Sequence, residues 1–168
     1  MADDDVTDAP DALSIQERLY PFLTCFGCGH ANPKGLRLRS FPDADTGADA
    51  DGELGAVIAS FEPWPEHDNG GGFLNGGIIA TVLDCHTAAA MMLHGERTGL
   101  VPPGSGLAYV TAGLDLRYLR PTPLAGPLTL RAWVTDADED RMLVTAELHA
   151  DGKVRATGAA LWKRWRAR

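Results

Sequence analysis

The run from Asn69 to Leu93, NGGGFLNGGIIATVLDCHTAAAMML, constrains the fold of this chain more than any other stretch. It opens as a glycine-dense turn and continues apolar almost all the way round. Ile78, Val82, Cys85, Ala89 and Leu93 recur at helical spacing, and Ile79, Leu83 and Ala90 widen the stripe. Gly95 stands where such a helix would stop, so the helix is expected from about Gly77 to Leu93. A helix apolar on nearly every side belongs in a core, wrapped by other elements. Interrupted by Thr81, Asp84, His86 and Thr87, it reads as too short to span a membrane, which takes roughly 20 mostly apolar residues.

Asp84 is the anomaly in that run. A buried carboxylate is costly unless it is hydrogen-bonded, protonated, or turned toward a cavity that admits water or substrate. Thr81 and Thr87, one turn away on either side, could satisfy it within the helix. The glycine turn offers a second chemistry, because a helix N-terminus presents free N–H groups at the positive end of the dipole. Asp84 lies eight residues beyond Gly76, roughly 12 Å along the axis at 1.5 Å per residue. The two cannot act on one atom from the same helix. If both take part in one reaction, they come from different copies of the chain. Cys85 falls in the apolar stripe and reads as core, and His86 points away from Asp84, toward the helix interface or a sheet carbonyl.

Around this helix the pattern is β. Residues 13–23 suggest a short helix with Ser14 as cap and Glu17 three residues on. Residues 36–41 and 53–61 read as strands, separated by an acidic loop, and Pro63-Trp64-Pro65 closes the second. His67, just before the glycine turn, either shapes the mouth of a site or is a solvated loop residue. After the helix and a Gly/Pro-rich loop, strands are expected over 108–119, 128–135, 141–150 and 153–165, with Asp151-Gly152 as the sharpest turn signal. One long apolar helix followed by an antiparallel meander is an α+β arrangement with the sheet curled around the helix.

Composition narrows the function. The chain has 168 residues and a formal net charge of −8, which argues against general nucleic-acid binding. Asp3, Asp4, Asp5, Asp8 and Asp11 make an acidic start, expected to be disordered and to carry no secretory signal. Three cysteines do not make a disulfide framework, so a reducing, cytoplasmic location is expected. Cys25, Cys28 and His30 have zinc-like spacing, but a structural zinc wants four ligands and no second pair follows. No metal and no cofactor are expected, and Cys25–Gly29 reads as a tight turn packed on the sheet. No G-x-S-x-G elbow or phosphate-binding glycine loop is present.

Asn69, Asn75-Gly76-Gly77 and Asp84, in that order and spacing, resemble the signature of the hotdog-fold acyl-CoA thioesterases, particularly the branch related to phenylacetic-acid-pathway thioesterases. In that signature a His-Gly-Gly precedes an acidic residue by nine positions; here Asn75 stands in place of the His. Cys25-Phe26-Gly27-Cys28-Gly29, Asn32-Pro33-Lys34-Gly35-Leu36 and Tyr118-Leu119-Arg120-Pro121 extend the resemblance from about Cys25 to Trp165. It implies a hotdog domain over residues 25–168 preceded by an acidic segment over 1–24. It implies a homodimer or dimer of dimers, with no nucleic-acid or membrane partner, and an acyl-CoA substrate bound where subunits meet. One subunit would supply Asn69, Asn75 and the Gly76 N–H, and the other Asp84 and Thr111. Asp84 would act as general base or nucleophile; the residues leave that choice open. A non-catalytic acyl-CoA-binding protein is the alternative on the same fold.

Overall fold

The computed structural model describes residues 12–44 and 54–166. The acidic start over 1–11 and the acidic loop over 45–53 lie outside the described residues. The elements, in chain order, are α1 (Ile15–Leu19), β1 (Ser40–Pro42), β2 (Leu54–Phe61), a single 3₁₀ turn (Pro65–His67), α2 (Gly76–Thr98), β3 (Tyr109–Tyr118), β4 (Leu128–Ala137), β5 (Arg141–Ala150) and β6 (Lys153–Arg164). The strands form one six-stranded sheet in the order β1-β2-β4-β5-β6-β3, antiparallel throughout. The sheet wraps α2, giving the α+β hotdog arrangement.

Strict alternation explains how the sheet presents one face to the helix. Leu128, Leu130, Ala132 and Val134 of β4 are buried, as are Met142, Val144, Ala146 and Leu148 of β5. On β6 the inward positions are Ala156, Ala160 and Trp162. The alanines at the sheet's centre leave room for the larger Val82, Leu83, Met91, Met92 and Leu93 of α2, all buried. The β5–β6 connection has Asp151 at φ 52° and Gly152 at φ 66°, the paired positive φ of a tight hairpin turn.

Several boundaries differ from expectation, each for a local reason. α2 runs five residues past Leu93. Its left-handed C-cap is Gly99, at φ 74°, and not Gly95. Gly95 lies inside the helix because a Cβ there would sit 2.6 Å from Val101 Cγ2; it serves close packing. At 23 residues α2 is, by length and composition, apolar enough to cross a membrane, contrary to the reading above. What occupies its apolar surface is the sheet, since most of the helix is buried inside the fold. α1 is shorter than expected. Its capping box is present, with Glu17 N–H donating to Ser14 Oγ and Ser14 N–H to Glu17 Oε2. It stops at Leu19 because Tyr20 precedes Pro21 and leaves the helical region.

The first expected strand contracts to Ser40–Pro42. Leu36 and Leu38 are buried in alternation, but their N–H groups donate to Phe26 O and Gly27 O of the Cys25–Gly29 turn, the leader segment of the domain, at 2.8 and 2.9 Å. Arg37 between them takes φ 54°. Beneath this region runs a buried polar chain. Gln16 Nε2 donates to Ser40 Oγ (3.1 Å), Ser40 Oγ meets His86 Nδ1 (2.9 Å), and His86 Nε2 meets Val57 O (3.2 Å). It ties α1, β1, α2 and β2 together. Burial holds the His86 imidazole down at about 4, so it is neutral at ordinary pH.

Candidate active site

The glycine turn is built by side-chain acceptors. Asn69 Oδ1 accepts from Gly71 N–H (2.8 Å) and Phe73 N–H (3.3 Å), and Asp68 Oδ1 accepts from Gly72 N–H (2.8 Å). Asn69 therefore spends its side-chain oxygen on the loop, leaving the amide nitrogen as its available donor. The loop is anchored at its far end by Leu74 N–H donating to Thr122 O (3.0 Å) and Asn75 N–H to His67 O (2.8 Å). His67 is not a solvated loop residue. It is buried, its ring centroid 3.9 Å from that of Trp64 and 5.8 Å from that of Phe61. Burial lowers its pKa.

Asn75 is the N-cap of α2, its Oδ1 accepting from Gly77 N–H at 2.8 Å. Gly76, the first helical residue, has no carbonyl four residues back within the helix to take its own N–H. Its carbonyl accepts instead from the Tyr118 hydroxyl at 2.9 Å, and a Cβ on Gly76 would stand 3.5 Å from the Tyr118 ring. Tyr118 thus fixes the start of α2 against the end of β3. Nothing in the sequence assigned it that contact, although it opens the Tyr-Leu-Arg-Pro segment.

Two turns on, Asp84 Oδ1 accepts from Thr111 Oγ1 at 2.9 Å. The neighbouring threonines do not satisfy the carboxylate. Thr81 donates to Gly77 O and Thr87 to Asp84's own backbone carbonyl. Asp84 is half-buried, and burial raises its pKa; the Thr111 bond works in the opposite direction, while negative charge on Cys25 adds to the rise. A carboxylate in this state is a better proton acceptor than a solvated one. His86 takes no part, being engaged with Ser40 and Val57.

Within one chain these residues form two groups, Asn69, Asn75 and Gly76 at the head of α2 and Asp84 with Thr111 on its flank. They are separated by two helical turns, roughly 12 Å. A cleft lined by Leu36, Arg37, Phe41, Phe61 and Trp64 contains none of the five. Thr111 lies instead on β3, an open edge of the sheet among the described residues, and Asp84 of α2 meets it there. Val110 is 41% exposed there and Tyr118 54%. Ten residues of unpaired edge are unusual in a chain that stays single.

The Thioesterase superfamily model matches residues 71–157, more than half of the chain and the whole span from the glycine turn into β6. The chain belongs to the thioesterase superfamily. Among solved structures of that superfamily, one member is 25% identical with a TM-score of 0.63, the match covering 81% of this chain and 61% of that longer one. A Ralstonia eutropha JMP134 protein related to phenylacetic acid degradation is 30% identical with a TM-score of 0.55, covering 66% and 76%. A superfamily protein from Shewanella loihica PV-4 is 28% identical with a TM-score of 0.52, covering 67% and 85%. This thioesterase-superfamily chain therefore lies in the hotdog branch that includes phenylacetic-acid-related proteins. No curated protein matches its sequence.

Proposed function

We propose that the protein hydrolyses an acyl-coenzyme A thioester to a free acid and coenzyme A. The observation that carries this reading is the Asp84–Thr111 pair, a half-buried carboxylate bonded to a hydroxyl on the open edge of the sheet. In the proposed reaction the thioester carbonyl rests on the Gly76 N–H, and the oxyanion forms at the positive end of α2. Asp84 either takes a proton from a water that attacks the carbonyl carbon or attacks that carbon itself, in which case water then hydrolyses the mixed anhydride and frees the acid and Asp84. The carbon–sulfur bond breaks and the departing thiolate is protonated to coenzyme A thiol. Thr111 holds the carboxylate in place and orients the water. Asn69, through its free amide, positions the thioester, and Asn75 shapes the turn that aims the Gly76 N–H.

Because one α2 cannot bring its own Gly76 and Asp84 to one carbonyl, the site is proposed to lie between two subunits that join along β3. That surface is long, exposed and partly apolar, as an edge-to-edge dimer requires. Residues 25–168 would form the working domain. Three free cysteines suit a reducing cytoplasm.

The test is thiol release from a panel of acyl-coenzyme A substrates, wild type against Asp84→Asn. The variant keeps the shape and the Thr111 contact but loses the proton acceptor. Loss of a general base typically costs about 10²–10⁴ in rate, so kcat should fall by that order while substrate binding survives. Wild-type binding without turnover would make the protein a non-catalytic acyl-coenzyme A binder and end the hydrolytic reading.

A further inference from the structure

The leader and α2 meet at three sulfurs that the proposed reaction does not use. Among the described residues, Cys25, Cys28 and Cys85 hold their sulfurs within 4.8 Å of one another, and Cys25 Sγ lies 3.7 Å from Cys85 Sγ. His30, which sequence spacing grouped with the first two, is not in the cluster; Cys85, read as plain core, is. The approach is tightly constrained. A Cβ on Gly27 would fall 2.3 Å from Cys85 Sγ and 2.9 Å from Thr81 Cγ2, so only glycine lets the turn descend onto the helix. Gly29 N–H closes the turn onto Cys25 O at 2.9 Å, and the N–H groups of Gly27 and Cys28 donate to the Cys25 sulfur. Leu36 and Leu38 N–H groups clamp the other side, on Phe26 O and Gly27 O.

The Cys25–Cys85 separation fits a shared cation better than a disulfide. A tetrahedral ion with metal–sulfur bonds of about 2.3 Å sets its sulfurs roughly 3.8 Å apart. A disulfide needs about 2.05 Å and engages two sulfurs of three. We propose that Cys25, Cys28 and Cys85 form a binding site for a thiophilic cation of the zinc class, which clips the leader onto α2. Cys25 is the exposed member, and a site of three protein ligands keeps its fourth position for water. Hydrogen bonds from Cys28 and Cys85 hold the Cys25 thiol down at about 2; the same contacts push Cys28 up to about 12 and Cys85 higher. On binding, the cation takes the three sulfurs as thiolates, and the thiol protons it displaces pass to solvent. The clip would fix the turn of α2 that carries Asp84, although no Asp84 oxygen belongs to the cluster.

The full chain, reduced and stripped by chelation, is titrated with Zn(II) against a chromophoric chelator and with Co(II) as a spectroscopic probe. One ion per chain is expected, with a Co(II) charge-transfer intensity matching three thiolates. Free zinc a hundredfold above Kd should raise the melting temperature by roughly 5–10 °C. Cys25→Ser, at the exposed position, should leave the fold intact and weaken zinc binding at least tenfold; Cys85→Ala should do the same from the helix side. No stoichiometric zinc in the wild type overturns the proposal. So does binding that survives both substitutions, or a Cys25–Cys28 disulfide found by alkylation and mass spectrometry in protein isolated under reducing conditions.

Discussion

Ser40 sits at the junction of the buried polar chain, and truncating it should be costly for a reason that hydrophobic burial does not supply. Its Oγ accepts from Gln16 Nε2, so its single proton is free to go to His86 Nδ1. His86 is neutral. With Nδ1 accepting, the ring proton sits on Nε2 and is donated to Val57 O. Gln16 Oε1 closes the chain by accepting from Ser40 N–H at 3.1 Å. Ser40, Gln16 and His86 are all fully buried, so no bulk water replaces a lost partner. Ser40→Ala deletes few atoms but strands a donor on Gln16 and an acceptor on His86. At about 1–3 kcal/mol for each stranded group, the loss is about 2–6 kcal/mol. A chain of this size loses roughly 2–4 °C in melting temperature per kcal/mol, so thermal unfolding should come roughly 4–24 °C earlier. Chemical denaturation should show the same loss, with an unchanged m-value. Gln16→Leu with Ser40→Ala removes donor and acceptor together and should cost less than the sum of the two single changes, by more than about 0.5 kcal/mol. A Ser40→Ala protein within about 1 kcal/mol of wild type, or strict additivity in the cycle, would refute this account of the network.

Mixed dimers test the shared site. Asn69→Ala and Asp84→Asn chains, reassorted at equal amounts, should recover roughly a quarter of wild-type activity, since about half the dimers are mixed and each has one intact site of two; no recovery in verified mixed dimers places the whole site in one chain. Asn75→Ala removes the N-cap acceptor of Gly77 N–H and should cost about 1 kcal/mol in melting experiments, whereas Asn75→Asp should hold within a few tenths; equal losses would deny the capping role. For His67 the folded pKa is depressed by burial, so its contribution to stability is intact above the unfolded value of about 6.5 and declines as pH falls below it. An imidazole NMR titration with its midpoint at or above that value would show that the ring is not sequestered between Phe61 and Trp64.

Legibility in the sequence followed how local each cause was. The apolar periodicity of α2 and the alternation of β4 to β6 are local, and they read directly as helix and strands. Gly95 misled because glycine answers two demands, ending a helix and admitting a neighbour, and the neighbour here is Val101, folded back after the helix ends. Leu36 and Leu38 alternate as a strand would, yet their hydrogen-bond partners are leader carbonyls that no pattern in residues 36–41 announces. The approach of Cys85 to Cys25 spans 60 residues and depends on the bare α-carbon of Gly27, so it had no sequence signal beyond a C-x2-C turn.

The same distinction bears on the candidate site. Thr111 came from resemblance, because alternation alone cannot say which hydroxyl of a strand will face a helix. β3 shifts register between Thr111 and Gly113, a bulge that re-aims side chains at this point on the edge. The hydroxyl that reaches Asp84 lies beside that irregularity. The other half of the motif, Asn75 and Gly76, is held by Tyr118 at the opposite end of the same strand. β3 therefore carries both halves along its length, about 3.3 Å per residue, and holds them apart as rigidly as the helix does. An antiparallel copy paired along β3 would reverse that order, setting one chain's Thr111 end near the other's Tyr118 end. In the dimer proposed above, the edge strand left open in the monomer is the element through which the two groups would meet in one site.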